Sequence, residues 1–294
     1  MKLMRFVTDK YSPTLKAVLT AVAACLILGS SARSSEIPPL PAQQSLEQGF
    51  KFLYNLDFDH AHAVFLSQEK DHPDDPVAPA CVAAGLLFSE FHRLGILESQ
   101  FFADDRAFLS RKKLDPDPAV RDGFNQAVGR GEAKARAKLA KNPKDKDALF
   151  ALTLSSGLQG DYAALIDKRN LLSLHFAKQA TGWAEQLLAV DPACSDAHVA
   201  TGFSKYIIGS MSAPFRWLVR MGGISGDKKV GISELELTAQ TGHYLAPFAR
   251  ILLAIAYVRE KDNSHARELL ASLRDQFPAN PLFAYEIAHL DSLH

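Results

Sequence analysis

Three cysteines, two tryptophans and four methionines are few for 294 residues, and the shortages exclude several kinds of chemistry. Cys25, Cys81 and Cys194 lie too far apart for any Cys-x-x-Cys pair. That removes the zinc ribbon, the thioredoxin-like redox motif and the c-type haem attachment. No His-Glu-x-x-His, Gly-x-Ser-x-Gly or Walker Gly-Lys-Ser/Thr order occurs either. Net charge is missing as well. The 33 basic residues match 33 acidic ones, without the basic surplus of a general nucleic-acid binder. Glycine and proline total 17 and 15, too few for a disordered or collagenous chain. No stretch alternates apolar and polar residues in the manner of a strand.

What is present begins with a leader. Lys2, Arg5, Lys10 and Lys16 precede the apolar run Ala17–Leu28, and Ser30–Ser31–Ala32 follow it. A basic start, a short apolar centre and small residues at the end are the pattern of an export signal. Twelve apolar residues fall short of the about 20 that span a bilayer. Residues 1–32 are therefore expected to be cleaved. The leader holds four basic residues and one acidic, Asp9, so cleavage takes the neutral chain to −3. Val22–Ala23–Ala24–Cys25 also has the form of a lipobox, which makes Cys25 a candidate for lipidation. The apolar Leu26–Ile27–Leu28 after it favours ordinary cleavage near Ala32. Residues 33–42, with three prolines and no helical period, read as a linker. In the remainder, Cys81 falls within an expected helix and Cys194 just after another, an arrangement that argues against their pairing.

From residue 43 the periodicity is helical. Ile251, Ala254, Ile255 and Val258 form one apolar stripe, and Ala266, Leu269, Leu270 and Leu273 a second, split by the polar turn Lys261–Ser264. Gly49, Phe52, Ala61, Phe65 and Pro73 repeat the small–aromatic–small–bulky–proline order of Ala254, Tyr257, Ala266, Leu270 and Pro278. Ala61 to Pro73 and Ala266 to Pro278 are both 12 residues. These are the spacings of a tetratricopeptide repeat, a helix–turn–helix unit of about 34 residues. Two further units are stretched by insertions, at 95–123 and 210–226. In the third unit a turn is expected at Gly157–Gly160, with a long helix from Asp161 to Val190. A helix is expected to resume at Phe124 after the first insertion, and Asp227 to cap one running to Thr241. The expected fold is all-α: a right-handed superhelix of antiparallel helix hairpins over residues 43–294, with a C-terminal capping helix over 282–293.

Asp191–Pro192, Asp196–Ala197, Gly202 with Tyr206, Arg216–Trp217–Leu218, Gly226–Asp227–Lys228, Gly231 and Phe277–Pro281 carry a resemblance to a family of bacterial tetratricopeptide-repeat proteins with export signals. More remotely the chain is similar to eukaryotic repeat proteins of the mitochondrial outer-membrane inclusion-clearance type. The resemblance implies the fold and an exported location, in the periplasm or at the outer membrane. It implies no catalytic residue.

Candidate chemistry is sparse. Asp57, Asp59, His60 and His62 crowd one turn, but His60 and His62 diverge by about 200° on a helix. They read as a polar turn rather than a metal site, and no metal or other cofactor is expected. Gly222–Gly226 before Lys228 and Lys229 reads as a turn, with anion binding as the alternative. The basic run from Arg130 to Lys146 reads as a solvated helix face or as a surface for an acidic partner. Phe215, Arg216, Trp217 and Arg220 mark a short apolar segment suited to a membrane interface, a partner groove or a plug within the array. By repeat alignment the concave face carries Gln43, Leu46, Phe50, Leu53 and Tyr54, then Val82, Leu86, Ser89 and Glu90, then Ile251, Ile255, Val258 and Arg259. This face is more apolar than a charged peptide clamp. It should hold an apolar ligand or helix, or be filled in part by the insertions. The expectation is a non-enzymatic scaffold that binds a protein or peptide in the cell envelope. A lipid- or small-molecule-binding protein is the alternative, and an enzyme with an unrecognised site stands third.

Overall fold

A computed structural model describes residues 45–97, 113–211, 213, 216–217 and 225–292. The leader, Cys25, the linker, Phe215, Arg220 and most of the Gly222–Gly226 turn lie outside these residues. Among them every regular element is helical, and each α-helix packs on its neighbours in sequence. The helices are α1 (Leu46–Tyr54), α2 (Phe58–Asp71), α3 (Val77–Arg93), α4 (Pro118–Lys141), α5 (Lys146–Asp161) and α6 (Asn170–Val190). They continue as α7 (His198–Ser210), α8 (Lys228–Thr241), α9 (Ala246–Arg259), α10 (Asn263–Gln276) and α11 (Leu282–Ser292).

Local chemistry sets the helix ends. The side chains of Asp57, Asp117, Asp145, Asp227 and Asp262 accept hydrogen bonds from the first free amides of α2, α4, α5, α8 and α10. Those amides have no intrahelical acceptor, so the caps supply one. At the other end, α2, α4, α6 and α10 each stop one residue before the dipeptides His72–Pro73, Asn142–Pro143, Asp191–Pro192 and Phe277–Pro278. The ring of a proline disfavours helical backbone in the residue before it. Accordingly, His72, Asn142, Asp191 and Phe277 have φ of −123°, −139°, −136° and −127°.

The first and last hairpins repeat each other closely. Leu56 and Lys261 both turn with positive φ, 63° and 64°. Ala61 and Ala266 are both fully buried. The crowded histidine belongs to this repeat. His60 Nδ1 lies 2.7 Å from the capping Asp57, and His265 Nδ1 lies 2.7 Å from the capping Asp262. His60 thus helps close a helix start, which gives it a purpose without a metal. Among the described residues no group of three or more His, Cys, Asp or Glu could hold a metal ion.

Three local expectations need correction. The segment Gly157–Gly160 is not a turn, because α5 runs through it to Asp161. The chain then makes a π-helical turn, Tyr162–Ile166, and breaks at residues 167–169, where Lys168 has φ 54°. The long helix therefore starts at Asn170, not at Asp161. After the first insertion α4 starts at Pro118, six residues before Phe124. Pro118 sits at the first turn, where its missing N–H costs nothing, and Asp117 caps the helix. Cys81 and Cys194 are unpaired.

The array also closes on itself. Tyr54 Oη donates to the carbonyl of Tyr244 at 3.0 Å, and Asn280 Nδ2 donates to the carbonyl of Tyr54 at 2.9 Å. The Ala279 amide donates to Asn55 Oδ1 at 3.2 Å. Phe50 stacks on Tyr244, Tyr54 packs on Phe277, and His243 pairs with Glu47. The first helix of the array is thereby joined to the loops that flank its last hairpin. The inner face is thereby bridged from the first helix to these loops.

Candidate functional site

The inner face holds a half-open cavity of about 170 Å³. Its wall comes from the helices that open successive hairpins, α1, α3, α5, α7 and α9, together with one face of α6. The centre of that wall is α5. From residue 148 to 160 it carries no charged side chain, and nearly all of its residues are buried. A helix apolar on every face is a helix packed on every face. Phe150, Leu154, Leu158, Phe203, Ile207 and Phe248 supply much of the apolar lining. Gly157 faces the space as well, and a Cβ built on it would meet nothing within 4 Å.

Few polar groups line the cavity, and one differs from the rest. Thr153 Oγ1 donates to the carbonyl of Leu149 at 2.8 Å. Asp196 accepts from the amides of Tyr244 and Leu245 at 2.9 and 3.1 Å, which ties the closing loop to the short helix Ser195–Ala197. Tyr54, joined to Tyr244, has its phenol pushed far up by burial, with the nearby Asp196 charge adding to the shift. Asp161 ends α5 at 5% exposure, and its carboxyl has no hydrogen-bond or ion-pair partner among the described residues. Burial alone holds its pKa well above the usual carboxylate range. A carboxyl in its neutral form can donate a hydrogen bond, and in its ionised form it only accepts.

The expected groove residues divide into two sets. Phe50, Leu53, Tyr54 and Ile251 are buried and line the cavity. Leu86, Glu90, Ile255 and Arg259 do not reach it. Glu90 is a clamp instead. Its carboxylate accepts from Arg93 Nε and Nη2 at 2.7 and 2.6 Å and from the Asp117 amide at 2.7 Å. This pins the chain where it returns from the first insertion. Leu86 faces the start of α4 near Gly123, and Ile255 packs between α9 and the α7 cluster. The basic run is largely spent on internal ion pairs. Arg130 and Lys134 hold Glu69, and Lys146 holds Asp191 at 2.9 Å. The guanidinium of Arg130 keeps the Glu69 carboxyl below its usual pKa. Of the segment after α7, Trp217 is 64% exposed, and Arg216 Nη1 donates to the carbonyl of Gly209 at 3.2 Å.

Sequence reasoning did not single out Asp161, Gly157, Phe203 or Phe248. The one available signal was the uncharged run 148–160 with an acid directly after it. No family model matches the chain, and no curated protein matches it.

Proposed function

We propose that this chain is a non-enzymatic binding protein of the bacterial cell envelope, exported by its leader, whose inner cavity takes one small apolar molecule. The observation that carries the reading is the closure of the array. Four of the residues expected on the groove, Phe50, Leu53, Tyr54 and Ile251, line a half-open apolar cavity that the closing contacts bridge. Concave apolar pockets with a few placed polar groups are the usual form of small-molecule sites. The size sets a limit on the occupant, since an engineered cavity of about 150 Å³ in another protein accepts benzene.

Toluene should therefore raise the melting temperature of the wild-type chain, because a ligand that binds only the folded state stabilises it. Gly157→Leu, which places a side chain in the open space, should fold and lose that response. Equal stabilisation of both chains, or none of either, would overturn the reading.

A protein-binding scaffold is the second reading, favoured by the large apolar side chains left on the outside. Leu171 is 72% exposed and Trp217 64%. On this reading, cross-linking in envelope extract captures a specific protein, and Trp217→Asp abolishes the capture without changing the melting temperature. A variant that captures as well as the wild type would discard Trp217 as the contact.

A further inference from the structure

Several buried polar atoms have no partner among the described residues, Ser155 Oγ, Gln159 Oε1 and Tyr162 Oη among them, but these do not line the cavity, whereas the Asp161 carboxyl does. The other buried acids with recorded partners are satisfied: Glu90 by Arg93 and the Asp117 amide, Asp196 by two amides of the closing loop. Asp161 is almost as deeply buried and has no hydrogen bond or ion pair among the described residues. A buried polar group without a partner costs free energy, so such a group suggests a missing partner. It stands on the cavity wall, where its oxygens can meet an occupant.

The chemistry of the wall narrows that occupant. Among the described residues no lysine, arginine or histidine lines the cavity, and its ionisable side chains are Asp161, Asp196 and Tyr54. A carboxylate ligand would find acids and no cation. An alcohol can accept from the neutral acid or donate to the carboxylate, but it cannot form an ion pair with it. An amine satisfies it in either proton arrangement. The neutral acid donates to the amine nitrogen, or the carboxylate accepts from the ammonium. The apolar body of the ligand then lies against Leu154, Ala177 and Phe203.

We infer that the cavity is a site for a small apolar amine, of the size of a single six-membered ring with a short arm, whose nitrogen is held by Asp161. The inference rests on the cavity reading above and goes beyond it by naming the ligand class and the residue that selects it. A bound amine would place a charge-assisted or neutral hydrogen bond against a largely apolar wall, where such bonds are stronger than in water.

The test is a set of dissociation constants for benzylamine, toluene and benzoate, measured on the full-length chain by ligand-observed NMR. Benzylamine is expected to bind about tenfold more tightly than toluene or better, a difference of about 1.4 kcal/mol. Benzoate is expected not to bind. In Asp161→Asn the benzylamine advantage should shrink to within about threefold while toluene binding persists, since the loss removes one selective contact and leaves the apolar wall intact. If toluene binds but benzylamine binds no better, the amine assignment fails and the cavity reading stands. An advantage that survives Asp161→Asn also overturns the assignment, as does preference for benzoate. If none of the three binds, both readings fall. Should Asp161→Asn not fold, the ranking of the three probes on the wild-type chain decides alone.

Discussion

Replacing Phe65 with alanine is expected to remove about 3–5 kcal/mol from the stability of the fold, the usual cost of deleting a fully buried phenyl ring. Phe65 is completely buried on α2, and its ring meets Phe50 edge-on at a centroid distance of 5.5 Å. Two glycines make its slot. A Cβ on Gly49 would lie 2.3 Å from the Phe65 ring, and one on Gly85 would lie 3.5 Å from it. The ring thus occupies the space that α1 and α3 both leave by lacking a side chain. With backbone on both sides of the slot, alanine would leave a void that the neighbours cannot fill by rotating side chains. Globular proteins hold about 5–15 kcal/mol in total, so the loss is a large share. Equilibrium denaturation in urea measures it, and a loss under about 1 kcal/mol would show that the slot collapses.

The second large effect is at Gly231, where alanine should cost about 2–3 kcal/mol through overpacking. A Cβ there would lie 2.4 Å from the Tyr206 amide nitrogen and 2.6 Å from the Gly202 carbonyl oxygen. Both obstacles are backbone of α7, so relief requires α7 and α8 to separate. Gly202 faces the same seam, its own Cβ position being 3.0 Å from the Gly231 carbonyl oxygen. The helix-propensity gain of alanine over glycine is about 1 kcal/mol and acts in the opposite direction. Gly157→Ala is the control. It also replaces a helical glycine, but into open space. It should gain stability where Gly231→Ala loses it. The same sign for both, read from urea midpoints, would refute the account of the seam.

Much of the helical organisation could be read from residues near one another in the chain. Capping aspartates, prolines after the outer helices and the turn residues Leu56 and Lys261 act within one or two turns of backbone, so a linear reading finds them. Gly157 and Gly160 misled because glycine is a local breaker, while complete burial of α5 overrode that preference. Gly160 packs against α6, with Phe176 Cβ 3.6 Å from its Cβ position, an ordinary van der Waals contact. The grouping of Phe50, Leu53, Tyr54 and Ile251 on an inner face was legible from repeat alignment. The isolation of Asp161 was not. It depends on which side chains fail to arrive from α1, α6, α7 and α9, and periodicity carries no information about absences. Glu90 was assigned to the groove because it shares the helix face expected to point inward. Its true partners lie on its own helix and at residue 117, across the insertion.

The bonds that join Tyr54 and Asn55 to Tyr244, Ala279 and Asn280 span 190 to 226 residues. An open repeat array can grow from any pair of hairpins, because each unit touches only the next. A joined one cannot finish that way. Its amino-terminal hairpin must wait for residues near the carboxyl terminus before its last contacts exist, and such distant pairings slow folding. In a chain that crosses a membrane in the unfolded state, the delay becomes useful. Under the proposed export, the chain would lack this final lock until residue 280 had been delivered, and the compact form would become available on the far side.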